Sequence, residues 1–330
     1  MPAQRPSSPA AAKPPKRLII AIGGNATHPE NITGTSEEQK HIAKLTAEAL
    51  LPLAELPSME LIITHGNGPV VGKILMRQAL TRDRIPPMSL DICVAHSQGG
   101  IAYLLMQALE NALRERDNKR HVACLLTQVE VEASDPAFQN PTKFVGAFFT
   151  KQQADDVGRE LGWNMKQDGQ RGWRHVVPSP LPRHVCDISL IEALSKRGTI
   201  VIAGGGGGIP VVRGPKGVRH GIEAVIDKDL TTQHMARVLG IDTIMLLTAV
   251  PKIAVDFGKK TERWLDRTTL SELKKHAANG QFPAGSMGPK VEAAIRFLET
   301  GGKRVIIAKL DQAVAALRGE TGTHVELDHA

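Results

Sequence analysis

Short, continuous apolar runs alternate along most of this chain with longer segments of helical period. Leu18-Ile19-Ile20-Ala21-Ile22 is the first such run, and Gly23-Gly24 closes it. That is the pattern of a strand buried on both faces and ended by a tight turn. Residues 61–64, 122–126, 199–203, 243–247 and 305–308 share this character, and the second run also ends in glycines. Between them the spacing predicts helices over 37–56, 70–80, 98–115, 188–196, 227–239, 269–278, 289–299 and 310–317. In the third of these, Ile101, Leu104, Leu105, Ala108, Leu109 and Ala112 recur on one face. Strands that alternate with helices imply an α/β fold with a mainly parallel sheet covered on both faces. Ligands of such sheets bind beyond the carboxyl ends of the strands.

Residues from about 127 to 180 break this rhythm. Val129 and Val131 alternate as in a strand, but Pro136, Pro141, Gly146, Gly158, Gly162, Gly169 and Gly172 interrupt the remainder of the stretch. It reads as an inserted subdomain or lid within a single domain spanning 17–330. Residues 1–16 are rich in Ala, Pro and Ser, with no large apolar residue after Met1, and are expected to form a disordered tail. They lack the apolar core of a secretory signal, and no apolar run approaches a membrane span. A cytoplasmic protein without membrane contact is expected.

Composition narrows the chemistry. The net charge of +7 suggests nucleic acid at first, but Arg5, Lys13, Lys16 and Arg17 all fall within the tail or at its edge. The remainder is mildly basic, and aromatics make up only 3%, which argues against a base-stacking surface. Small anionic substrates account for that charge equally well. The cysteines Cys93, Cys124 and Cys186 are odd in number and far apart, so neither a zinc site nor a disulfide framework is indicated.

The candidate chemistry lies in lysines placed near glycine turns. Gly204 to Gly208 follow a predicted strand, and five consecutive glycines cost backbone entropy that a plain turn rarely needs. Close approach of backbone N–H groups to an anion explains them. The dinucleotide fingerprint fails, because Ile209 or Pro210 stands where its last glycine belongs, and no P-loop motif occurs. Asp227-Lys228-Asp229 opens a helix. The acids cap it and oppose the dipole, but a lysine between them is disfavoured there unless it serves a phosphate. An aspartate would then orient lysines or a metal shell. Lys290 follows Gly288-Pro289 at another helix start, again a misplaced cation unless nucleotide phosphate shares that helix end. Lys143, in Pro141-Thr142-Lys143, reads by itself as a solvated loop lysine. Asn25 and Asn67, each beside glycines, fit left-handed turns or neutral amides for a small planar anion. His65 and His96 read as structural. With no protein metal cage in the spacing, Mg²⁺ held mainly by nucleotide phosphates and water fits best.

These residues resemble the carbamate kinases of the amino-acid-kinase superfamily from Arg17 to about Val325. The similar blocks include Ala21-Ile22-Gly23-Gly24-Asn25-Ala26, Thr64-His65-Gly66-Asn67-Gly68-Pro69, Ser97-Gln98-Gly99 and Asp135-Pro136-Ala137-Phe138. They continue through Pro141-Thr142-Lys143, Gly172-Trp173-Arg174, Val177-Pro178-Ser179-Pro180 and Gly205-Gly206-Gly207-Gly208-Ile209-Pro210. Glu223-Ala224-Val225-Ile226-Asp227-Lys228-Asp229 and Gly285-Ser286-Met287-Gly288-Pro289-Lys290 complete the series. The resemblance implies reversible phosphoryl transfer between ATP and carbamate, giving ADP and carbamoyl phosphate. It also implies a three-layer α/β/α sandwich, a homodimer and a protruding subdomain carrying Lys143. By this likeness Lys143, Lys228 and Lys290 contact the phosphoryl group, and Asp229 orients lysines. Gly24, Asn25, Gly66, Asn67 and Gly68 hold the carbamate side, with Gly206, Gly207 and Gly208 nearby. Asp227, Thr248, Ala249, Val250, Phe257, Met287 and Gly288 are expected around the nucleotide. Phe144, Gly100 and Ser134 depart from the family's usual residues.

Overall fold

The computed structural model describes residues 14–29, 32–282 and 287–328. Met1 to Lys13 of the expected tail lie outside the described residues, as do Gly285 and Ser286 and the side chain of Asn25. From the N-terminus, β1 (Arg17–Ile22), α1 (Ser36–Ala54), β2 (Glu60–His65), α2 (Val70–Thr81) and α3 (Leu90–Arg114) lead to β3 (Val122–Cys124) and β4 (Gln128–Glu130). Within the irregular stretch come β5 (Lys143–Phe149), α4 (Lys151–Leu161), β6 (Met165–Gln167) and β7 (Trp173–Val177). Next are β8 (His184–Val185), α5 (Ile188–Lys196), β9 (Ile200–Ile202), β10 (Ile209–Arg213), β11 (Arg219–Gly221) and α6 (Lys228–Val238). The last third holds β12 (Thr243–Thr248), β13 (Ile253–Val255), β14 (Arg263–Leu265), β15 (Arg267–Thr269) and α7 (Leu270–Ala278). It ends with α8 (Met287–Glu299), β16 (Arg304–Lys309), α9 (Ala313–Leu317) and β17 (Thr323–Glu326).

The apolar runs pair with one another. Eight strands form one sheet in the order β15-β17-β16-β12-β1-β2-β9-β3, parallel except where β16 meets β17. Side chains alternate across it. Ile19, Ala21, Ile62, Ile244 and Leu246 face a core shared with α6 and α8, while Leu18, Ile20, Ile22, Ile63 and Met245 face one shared with α1 and α3. Both faces are therefore buried, which is why these strands read as continuous apolar runs. The result is the three-layer α/β/α sandwich.

Besides the two-stranded pair β13-β14, two smaller sheets complete the described residues. β11-β10-β4-β8 forms one, so Gln128–Glu130 pairs beside the loop that follows β9. β5-β7-β6 forms the other, and α4 packs with it to make a lid-like unit across 143–177. Helix α3 starts at Leu90, well before the periodic stretch at 98, because the Glu223 carboxylate accepts the Leu90 N–H at 3.1 Å. That cap comes from a distant segment and leaves no local signal. The predicted closing helix begins as a 3₁₀ turn over Leu310–Gln312 before α9. β17, with its four residues, is too short for its alternation to stand out.

Candidate active site

Three glycine turns emerge side by side at the carboxyl edge of the main sheet. Register sets this: Ile22 pairs with His65 on one side and Leu247 on the other, and Ile63 pairs with Ile202. The turns are in direct contact. A Cβ on Gly24 would lie 2.4 Å from the Gly68 carbonyl oxygen, and one on Gly206 would lie 2.7 Å from Asn67 Nδ2. The 204–208 loop is held from three directions. Gln98 Nε2 donates to the Gly205 carbonyl at 2.7 Å, Thr231 Oγ1 to the Gly207 carbonyl at 2.7 Å, and the Gly204 N–H to Thr127 Oγ1 at 2.9 Å. These ties leave a rigid, backbone-lined wall.

The three distant lysines meet at this wall. Asp227 caps α6, its Oδ1 accepting the Asp229 N–H at 2.9 Å. Lys143 Nζ reaches Asp227 Oδ2 at 2.5 Å. Lys228 Nζ lies 2.7 Å from Asp229 Oδ1, and Lys290 Nζ lies 3.3 Å from Asp229 Oδ2. The lysine misplaced at the start of α6 is thus offset by the acid beside it. All five residues border a cavity of about 480 Å³, together with Gly24, Gly66, Asn67, Gly68 and Gly206.

Burial and charge shape the protonation of this cluster. Burial lowers the Lys228 pKa, against the pull of Asp229. Burial also works against the Lys290 ammonium, but Asp229 and Asp227 outweigh it and raise that pKa. For Asp227, burial favours the acid form, yet Lys143, Lys228 and Lys290 together hold the carboxyl well below its usual range. His65 is fully buried and neutral, its pKa pushed down to about 4 by burial. Its Nδ1 bonds the Gly66 carbonyl at 3.0 Å, while Nε2 abuts Gly205 without a partner among the described residues. Asn67 Nδ2 is likewise a buried donor with no partner among the described residues.

Not every expected residue lines this cavity. Gly207 and Gly208 have φ of 90° and 95° and stand behind Gly206, where Ile226 and Val129 fill the space a Cβ would need. Thr248 ends β12 at the same sheet edge, followed by Ala249 and Val250, outside the cavity. Phe257 is 64% exposed and packs edge-on against Trp264 at 6.4 Å. Met287 and Gly288 open α8 and are half-buried just before Lys290. Sequence reasoning finds no role for Arg174, Asp168 or Glu292, all of which border the cavity. Arg174 donates to the Gly146 carbonyl at 3.1–3.2 Å and to Asp168 at 3.1 Å. Its guanidinium lies 4.9 Å from the Phe148 ring and 5.8 Å from the Phe144 ring. The only local signal is a charged residue inside a strand, which usually means a solvated face.

Residues 16–309 match the family model described as the amino acid kinase family. A carbamate kinase of Thermococcus kodakarensis is 46% identical over 312 residues, covering 94% of this chain and 99% of the relative. A protein named carbamate kinase 2 of Staphylococcus aureus is 42% identical, covering 94% of this chain and 99% of the relative. Among solved structures, the carbamate kinase of Giardia lamblia bound to AMP-PNP superposes with a TM-score of 0.86 at 39% identity. That match covers 95% of this chain and 99% of the other.

Proposed function

We infer that this chain, which belongs to the amino acid kinase family and within it to the carbamate kinases, transfers a phosphoryl group reversibly between ATP and carbamate. It works in the direction that makes ATP from ADP and carbamoyl phosphate. The observation that carries this reading is the meeting of Lys143, Lys228 and Lys290 on two neighbouring carboxylates at a glycine-walled cavity. Three ammonium groups against Asp227 and Asp229 leave an excess positive charge in a buried place, which an anion offsets. A phosphoryl group in flight carries charge on its equatorial oxygens and needs positioning and positive charge more than covalent chemistry.

In this reading the three lysines contact the travelling group. Asp229 touches both Lys228 and Lys290 and orients them, and Asp227 does the same for Lys143. Gly24, Asn25, Gly66, Gly68 and Gly206 hold the carbamate, and Gly207 and Gly208 shape the loop behind. The unpartnered Asn67 amide supports a bound oxygen here, since a buried donor left unmade costs about 1–3 kcal/mol. The nucleotide lies over Thr248, Ala249, Val250 and Phe257, near Met287 and Gly288. Asp227 and Asp229 are both engaged by ammonium groups, so Mg²⁺ would be held through phosphate oxygens and water. When bound, the ion would draw charge from those oxygens.

The protein is read as a cytoplasmic homodimer. Ile92 and Tyr103 on α3 are 44% and 52% exposed, Leu126 is 57% exposed, and β3 is an edge of the sheet, which together support a second copy packing there. No helix among the described residues is long and apolar enough to cross a membrane. The deciding assay follows ATP formed from ADP, Mg²⁺ and carbamoyl phosphate. Sustained ATP formation is expected, with only background rates from the acyl phosphates of acetylglutamate or aspartate. No ATP from carbamoyl phosphate would overturn the assignment.

A further inference from the structure

A second cavity, of about 300 Å³, opens between α6 and α8. Its wall includes Arg183, Gln233, His234, Arg237, Arg296 and Thr300. Part of this has an ordinary explanation. Arg237 and Arg296 stand in the last turns of their helices, where the backbone dipole favours cations. Three facts are left over. Arg183 belongs to neither helix and directly precedes β8. Neither Arg183 nor Arg237 forms an ion pair with a carboxylate among the described residues. Gln233 and His234 are only 8% and 7% exposed, yet neither side chain has a hydrogen-bond partner among the described residues, and both border the cavity.

The acids nearby are already engaged. Glu299, the carboxylate among the described lining residues, is held by Lys274 at 2.5 Å, and Arg296 is held by Glu292 at 2.8 Å. Burial, with Arg237, His184 and Arg183 around it, keeps the His234 ring neutral and pushes its pKa down to about 4. Cations gathered round an uncompensated space repel one another, and a dianion among them removes that repulsion. Guanidinium forks match the oxygens of a tetrahedral oxyanion, and the Gln233 amide and a His234 N–H add neutral donors.

We propose that this cavity binds a phosphate dianion, either free or as the end group of a small monoester, at a site distinct from the lysine cavity. Leu181 and Leu230 border both spaces, and Glu292, which holds Arg296, borders the lysine cavity; none of Arg183, Gln233, His234, Arg237, Arg296 and Thr300 does. The proposal does not depend on the carbamate assignment.

The test follows the His234 ring resonance by NMR while inorganic phosphate is added to the full chain. A His234→Asn variant identifies the signal. Phosphate is expected to move the resonance and raise its titration midpoint. In the Arg183→Met/Arg237→Met double variant that response should be lost, while ATP formation in phosphate-free buffer stays within about twofold of the parent, because both side chains are exposed. Gln233→Leu should weaken phosphate binding by roughly ten- to a hundredfold, the loss of one hydrogen bond to a charged group. Repeating the titration with glycerol 3-phosphate assigns the source: tighter binding indicates a monoester, weaker binding the free ion. A His234 resonance indifferent to millimolar phosphate, or a double variant that responds like the parent, would overturn the site.

Discussion

The lysines at 228 and 290 and the lysine at 143 reach the same cluster from unlike surroundings. Lys228 and Lys290 grow from α6 and α8, which pack their apolar faces into the core with Met235 and Phe297, and only 10% of each side chain is exposed. Lys143 opens β5 in the three-stranded unit and is 31% exposed. That unit rests on the body where Gly146 of β5 meets Gly72 of α2; a Cβ on Gly72 would fall 2.1 Å from the Gly146 Cα. Arg174 holds the same Gly146 carbonyl from inside the unit. Two charges are therefore permanent parts of the wall. The third is delivered by a region whose buried Val145 and Val177 join only a small cluster with α2 and α3, so it can open at lower free energy than the body.

The largest effects should come from the cluster itself. Lys228→Ala or Lys290→Ala is expected to cut turnover by roughly a hundredfold or more, as for loss of a strong transition-state donor. Both should also lower the melting temperature, because each leaves Asp229 short of a buried partner. Lys143→Ala should lose comparable turnover with a smaller drop in melting, because Lys143 is itself partly exposed and Asp227 keeps its bond from the Asp229 N–H. Equal melting shifts in all three variants would erase the distinction between body and lid.

Acid separates the regions next. His65 in the body and His175 in the lid, the latter stacked on Trp163 at 4.5 Å, are both held neutral by burial, with pKa values of about 4 against an ordinary 6.5. Above 6.5 neither folded nor unfolded chain binds the proton. As pH falls below 6.5 the unfolded chain takes up protons that the folded chain refuses, so stability declines until about pH 4. For fully buried His65 the difference is on the order of 3 kcal/mol. Limited proteolysis over this range should cut within 143–177 before far-ultraviolet circular dichroism, which follows the helices of the body, reports its loss. Simultaneous loss would mean that the two regions unfold as one.

The smallest effect concerns the seat between them. Gly72→Ala must displace the Gly146 backbone, shifting the strand that starts with Lys143. About tenfold lower turnover is expected, with a modest drop in melting, since the overlap is with backbone and is relieved only by moving the strand. Parental turnover would show that the contact yields without moving Lys143.

Much of the framework is legible residue by residue. The runs at 18–22, 61–64 and 243–247 announce buried parallel strands, because burial on both faces leaves no polar alternation. The five glycines at 204–208 announce close backbone contact, and lysines at the starts of α6 and α8 announce an anion, because a cation there opposes the helix dipole. Lys143 was legible only through family likeness, since a loop lysine looks the same whether solvated or catalytic. The start of α3 under Glu223, the brace by Arg174, the orphaned Asn67 amide and the arginines around His234 were decided by tertiary packing alone. Each depends on a partner, or on the lack of one, supplied by a distant segment, and local order in a chain carries no record of which distant groups the fold will bring within hydrogen-bonding range.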